Sequence, residues 1–285
     1  MIKNELNRIA GLCFEALIAE VNATPKPGLV DRNNNGAHAD MNLALFHKSA
    51  NSLQTYFVSV VECGFDGANL PPEQALLALR PIGIEAERTM LDATGGVNTH
   101  KGAIFSLGLL AASAGRLMAC GMPLDPARVA TAAALYVRGI CSRELKSMQK
   151  ANTKGEQAFV MYGQLGARGE AEAGFPAVIN VALPNYHNAL LLGANDNDAL
   201  AHSLLCLIAH MLDTNVITRL NMEAGLHAQN EAQKFLDNRY IIGSEKWRKA
   251  LALMDQDFIS RNISPGGCAD LVACAWLLFR LSKDF

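Results

Sequence analysis

THKGAIFSLGLLAASAGRLMACG, residues 99–121, decides the fold. Between Lys101 and Arg116 it carries no charge, and glycine, alanine and serine are spread all round it. A segment apolar on every side belongs inside a protein, and its small residues suit close packing of one helix on another. Gly121 is placed to stop it, since glycine accepts the left-handed turn that ends many helices.

Working outward, the same kind of element recurs. Leu6, Ile9, Cys13, Ala16 and Leu17 fall at helical spacing, and that helix ends before Pro25. Leu43 to Val61 is apolar on one face and reads as a second helix. The segment from Leu70 to Asp92 opens with Pro71 and Pro72, which suit a first turn, while Pro81 should bend or break it. Asp125 followed by Pro126 reads as a cap and first helical residue. Residues 150–175 read as a polar loop. NDNDALAHSLLCLIAHMLDT starts from an Asn/Asp cap, residues 221–238 form a polar helix, and Ser244 and Ser264 are capping candidates for the last two helices. Alternating strands and hairpin turns are missing. The expectation is one all-α domain over residues 1–285, with ligand sites built from inter-helix loops.

Composition narrows the function. The 285 residues are half apolar and only 6% aromatic, with net charge −2. That balance gives no general attraction to nucleic acid or anionic membrane, so an anionic ligand must meet a local basic cluster. Seven cysteines without a CxxC pair make neither a disulfide framework nor a zinc ribbon. A secretion signal is not evident, and no stretch reads as the ~18–20 uncharged apolar residues of a membrane span. A cytoplasmic location is therefore expected.

Four polar islands interrupt the helices: EVNATPKPGLVDRNNNGAHADM (20–41), DATGGVNTHKGA (92–103), GQLGARGEAEAGFP (163–176) and LDTN (212–215). Loops are polar by default, so a single island means little. In the second, two glycines precede Asn98, Thr99, His100 and Lys101 at a helix start, where free N–H groups and the helix dipole favour an anion. The plainer alternative is that Asn98 or Thr99 caps the helix and Lys101 is solvated. Asp213 follows an apolar helix, where the dipole disfavours its charge, and a bound cation would reverse that. Glu170 and Glu172, beside Arg168, read as ligands, a general base or a surface ion pair, the last being commonest. HExxH and GxSxG are absent.

Together the islands resemble the triphosphoribosyl-dephospho-CoA synthases. TPKPGLVDRNNNGAHADM, GGVNTHKGAIFSLGLL, GARGEAEAGFP and DTNV match that family in order and character, over most of the chain. One departure stands out: where the family has a His-Arg-Gly-Gly run after DTNV, this chain reads ITRLNMEAG, with Arg219 keeping a cation and the paired glycines missing.

The resemblance implies an all-helical enzyme that joins ATP to 3′-dephospho-CoA and releases adenine. Its product is the precursor of the prosthetic group of the citrate lyase or malonate decarboxylase acyl carrier protein, passed on to a holo-acyl-carrier-protein synthase. The chemistry asks for a triphosphate held uncleaved, a hydroxyl oriented or deprotonated, and a purine helped to leave. The expected triphosphate contacts are Lys26, Arg32, Asn98, Thr99, Lys101 and Arg168. The metal carboxylates for Mg²⁺ are Asp31, Asp40 and Asp213, and the catalytic candidates are His100, Glu170 and Glu172. A homodimer is expected. The alternatives are a metal-dependent ribosyl or N-glycosyl hydrolase of helical fold, and a non-catalytic acyl-carrier-binding protein.

Overall fold

A computed structural model describes residues 2–146, 151 and 153–285. Among them are fourteen α-helices and no strand. In chain order they are α1 (Ile2–Asn22), α2 (Leu43–Ser52), α3 (Gln54–Asp66), α4 (Pro72–Thr94), α5 (Lys101–Ala119), α6 (Pro126–Tyr136), α7 (Lys154–Tyr162), α8 (Gly166–Glu172), α9 (Leu183–Leu191), α10 (Asp196–His210), α11 (Thr214–Arg219), α12 (Met222–Asp237), α13 (Glu245–Ser260) and α14 (Gly266–Asp284). Short π-helical turns lie at Cys141–Leu145 and Val178–Ala182.

The opening stretch is α5, and it is the hub. It packs on α3, α6, α14 and α1, with almost every residue from Ala103 to Leu117 buried. By length and composition α5 is apolar enough to cross a membrane, which the sequence reading denied of every stretch. Its burial among the other helices, 72% of the span, gives it the place of a core helix.

Small residues set how closely α5 is approached. A Cβ on Gly64 of α3 would lie 2.0 Å from the Ala112 carbonyl oxygen, and one on Gly115 of α5 would lie 2.2 Å from that of Val61. Neither backbone oxygen has room to retreat. Gly64→Ala is therefore expected to destabilise the fold by about 1–3 kcal/mol through overpacking. Urea unfolding checks this; an unchanged midpoint would mean that α3 and α5 are not held backbone to backbone.

Four local expectations are corrected. The helix expected over Leu43–Val61 is two helices, because the chain turns at the fully buried Leu53, whose N–H reaches back to Ala50 and Asn51. Pro81 does not end α4. Pro81 and Leu77, whose carbonyl loses its partner, both sit on the exposed face. Residues 150–175 hold α7, opened by a Thr153/Glu156 capping box, and α8, while Lys150 and Asn152 lie outside the described residues. Ser264 does not cap α14 but hydrogen-bonds His38 at 2.7 Å.

Candidate active site

All four polar islands open onto one cleft of about 1280 Å³. Lys26 and His38 come from the first, Asn98 to Gly102 from the second, Gly163 to Glu170 from the third, and Leu212, Thr214 and Asn215 from the fourth. The starts of α5 and α14 form part of its wall, and neither has a side-chain cap from its N-cap residue. Two helix N-termini facing one space direct partial positive charge into it.

Lys26 and Glu20 form the most buried ion pair of the cleft. Lys26 is 3% exposed; its Nζ donates to the Glu20 carbonyl oxygen at 2.8 Å and forms a very short contact with the carboxylate. Lys26 thus stands where a triphosphate contact was expected, with its charge already matched. Glu20 was not among the expected site residues. Its signal was present: it extends the apolar stripe of Cys13, Ala16 and Leu17 by one turn, and a carboxylate on a buried stripe needs a partner.

Asp270 is the second acidic group that sequence reasoning passed over. It sits one turn into α14 against the start of α5, where the Ala103 amide favours its charged form. A Cβ on Gly102 would fall 1.9 Å from Asp270 Oδ2, so glycine there makes the approach possible. Burial pushes the carboxyl well above the usual range, and the charges of Glu20 and Asp213 push the same way.

His100, an expected catalytic residue, lies in this wall at 3% exposure. Thr99 Oγ1 donates to Ser49 Oγ at 2.7 Å, and Ser49 Oγ meets His100 Nδ1 at 2.7 Å. His100 Nε2 is buried without a partner among the described residues. Burial, with help from Lys26, lowers its pKa to about 3. The imidazole is therefore neutral at physiological pH, and its interactions are those of a hydrogen-bonding group. Asn98 caps α5 by accepting from the Lys101 N–H at 3.2 Å, and Lys101 Nζ reaches Glu87 at 2.7 Å near the mouth.

Arg168 lines the cleft between Glu144, at 3.1 Å, and Glu156, at 3.3 Å. Glu170 lines it too, but its Oε1 accepts the Ala177 N–H at 2.7 Å and the Val178 N–H at 3.4 Å. Burial raises its pKa against the pull of those amides. Arg219 spans the first and fourth islands, donating to the Ala37 carbonyl at 2.6 Å with His38 at 3.4 Å. Arg80 and Lys154 are further cations in the lining that sequence reasoning did not place there.

Five expected site residues are not brought to the cleft. Arg32 turns away to Asn197 Oδ1 at 2.6 Å, in a separate shallow pocket. Glu172 braces the turn at Gly139 and Cys141; burial opposes its charge, but these hydrogen bonds leave its pKa below the usual value. Asp31 accepts from Thr24 Oγ1 and from the N–H groups of Lys26, Asn33 and Asn34, at 2.6–3.1 Å, so its oxygens knit the first loop. Asp40 is largely exposed, 3.7 Å from His38. Asp213 caps α11 through Asn215 and Val216 and reaches Cys268 N at 2.8 Å.

The three carboxylates expected to hold Mg²⁺ are thus engaged in three different local settings. Among the described residues no three His, Cys, Asp or Glu side chains are grouped to hold a metal ion. The donor sets of Asp31 and Asp213 are already engaged with backbone amides, so these residues do not fit a resident ion.

A deep cleft edged by helix N-termini and cations is suited to large anionic ligands. The sequence pattern of the CitG family, described as ATP:dephospho-CoA triphosphoribosyl transferase, matches residues 6–285, and the chain belongs to that family. It is 44% identical over 278 residues to a Citrobacter koseri protein named "Probable 2-(5''-triphosphoribosyl)-3'-dephosphocoenzyme-A synthase". The match covers 98% of this chain and 92% of that one. No solved structure matches the chain.

Proposed function

We propose that the protein is a triphosphoribosyl-dephospho-CoA synthase, joining ATP to 3′-dephospho-CoA and releasing adenine. The observation that carries the reading is the convergence of all four family-like blocks on one cleft. Its volume exceeds the roughly 300–1,000 Å³ of ordinary small-molecule sites, as two nucleotide substrates require.

The chemistry is displacement at the ribose carbon that bears adenine. The 2′-hydroxyl of dephospho-CoA attacks C1′, the C1′–N9 bond breaks, and the triphosphate stays whole. Positive charge builds on the ribose as the base departs. The N-termini of α5 and α14, with Lys101 and Arg219, are the groups that hold phosphate oxygens. Lys101 exchanges Glu87 for phosphate as ATP enters. The neutral His100 orients a substrate polar group in the buried wall. Magnesium enters as the counter-ion that ATP carries, held by phosphate oxygens and water.

Further out, the product passes to a holo-acyl-carrier-protein synthase serving citrate lyase or malonate decarboxylase, in the cytoplasm. The working unit is a homodimer. Incubation with ATP, Mg²⁺ and 3′-dephospho-CoA should release adenine only when dephospho-CoA is present. CoA should be a poor acceptor, because its 3′-phosphate crowds the reacting hydroxyl and adds charge beside it. Adenine release at an equal rate without acceptor would identify a hydrolase instead. No ATP turnover at all would favour a binding protein.

A further inference from the structure

We propose that Glu20 and Asp270 divide the proton chemistry of the transfer, Glu20 taking the proton of the acceptor hydroxyl and Asp270 giving one to the departing adenine. The proposal rests on the functional reading above and adds the residues that move protons. Both carboxyl groups line the cleft, one from the end of α1 and one from the start of α14. Asp270 packs against the start of α5 beside Gly102, and after burial the charge of Glu20 is the foremost influence raising its proton affinity.

Their surroundings separate them. Glu20 is ion-paired with Lys26, which supplies the positive charge a carboxylate base needs. Among the described residues no cation forms an ion pair with Asp270. The charges of Glu20 on α1 and Asp213 ahead of α11 raise its proton affinity, the Ala103 amide works the other way, and Cys268 and Cys274 lie on its own helix. Glu170 of α8 acts on the same two cysteines. A carboxylate paired with a lysine and a buried carboxyl group that holds its proton are suited to opposite roles in acid–base catalysis. His100, buried in the same wall with Nε2 unpartnered among the described residues, marks that wall as built for a polar ligand.

The step balances. The O–C1′ bond forms as C1′–N9 breaks, and the N9 electron pair leaves with adenine. The hydroxyl proton goes to Glu20, the Asp270 proton goes to adenine, and one proton returning from Glu20 to Asp270 resets the site. Metal, oxidant and reductant take no part in the proton transfers.

The test uses Glu20→Ala and Asp270→Asn, measured beside wild type for adenine release, ATP binding and Mg²⁺ dependence. Each variant should lose about 10²–10⁴-fold in kcat, the range of a positioned acid or base, while ATP affinity and the Mg²⁺ requirement stay within threefold. Formate should restore part of the activity of Glu20→Ala by replacing the lost carboxylate beside Lys26. Asp270→Asn should lose the alkaline fall in kcat/KM that wild type shows as Asp270 gives up its proton. If Glu20→Ala fails to fold, Glu20→Gln with Lys26→Met removes both charges together and should fold yet stay inactive.

Either variant keeping more than a tenth of wild-type kcat would overturn the assignment. So would a loss explained by weaker ATP binding or a raised Mg²⁺ requirement, which would make these residues ligands of phosphate or metal. An inert wild type would sink the functional reading and this proposal together; an active wild type with active variants would sink this proposal alone.

Discussion

Lys26→Met is expected to destabilise the protein by about 3–5 kcal/mol, because removing one partner of a buried ion pair leaves the other charge uncompensated. Lys26 is 3% exposed and gives its Nζ to both the carbonyl and the carboxylate of Glu20. With methionine in place Glu20 must either hold a bare charge or take up a proton. Adding Glu20→Gln should restore most of the loss, since a neutral pair of similar volume carries no such penalty. Urea unfolding of wild type, the single variant and the double variant measures the difference. A single variant within 1 kcal/mol of wild type would show that Glu20 and Lys26 are hydrated and that the inner wall of the cleft is not dry.

The second large effect concerns Asp213. Its Oδ1 caps α11 through Asn215 at 2.8 Å and Val216 at 3.4 Å, and its Oδ2 accepts the Cys268 N–H of α14 at 2.8 Å. One side chain thus ties two helix starts together. Asp213→Ala is expected to cost about 2–4 kcal/mol: a lost cap is worth about 0.5–2, and buried amides left unpaired add about 1–3. Because α14 contributes its N-terminus to the cleft, ATP should also bind less tightly. Burial raises the Asp213 pKa despite these amides, so less of the cost comes from charge than at an ordinary cap. Thermal denaturation and ATP titration measure both effects. An unchanged melting temperature would mean that the caps are replaced by solvent.

The helical class was legible because α5 declares itself. Its run of small and apolar residues allows no strand reading, and the caps at Asp125 and Ser244 fell where they were expected. The cleft was legible at the level of blocks, since all four islands meet in it. Individual roles were less so, for reasons that residues make plain. Asp213 was set against the dipole of the helix before it, while the structure gives it to the helix after it, where the dipole favours its charge. Asp31 stands in a loop rich in charge, but short-range hydrogen bonds to Asn33 and Asn34 claim its oxygens first. Arg32 follows Asp31 in sequence yet points away from the cleft, a direction that depends on Asn197, 165 residues distant. Glu20 and Asp270 hid on helices, where a lone carboxylate among apolar residues passes for solvated surface until its neighbours are known.

The departure after DTNV has a structural reading. In ITRLNMEAG, Thr218 and Arg219 close the short α11, Asn221 caps α12, and Gly225 packs under Ile217. Arg219 turns back to Ala37 and His38, so a cation still reaches the cleft from this segment. This segment therefore still supplies a positive charge to the cleft lining.

In the proposed reaction ATP reacts at its ribose and keeps all three phosphates. ATP labelled with ³²P in the γ-phosphate and with ¹⁴C in the adenine ring tests it in one reaction with 3′-dephospho-CoA. The expected result is that ³²P moves into the dephospho-CoA product while ¹⁴C appears as free adenine, in equal amounts. Release of ³²P as orthophosphate or pyrophosphate, with ¹⁴C retained in ADP or AMP, would contradict it.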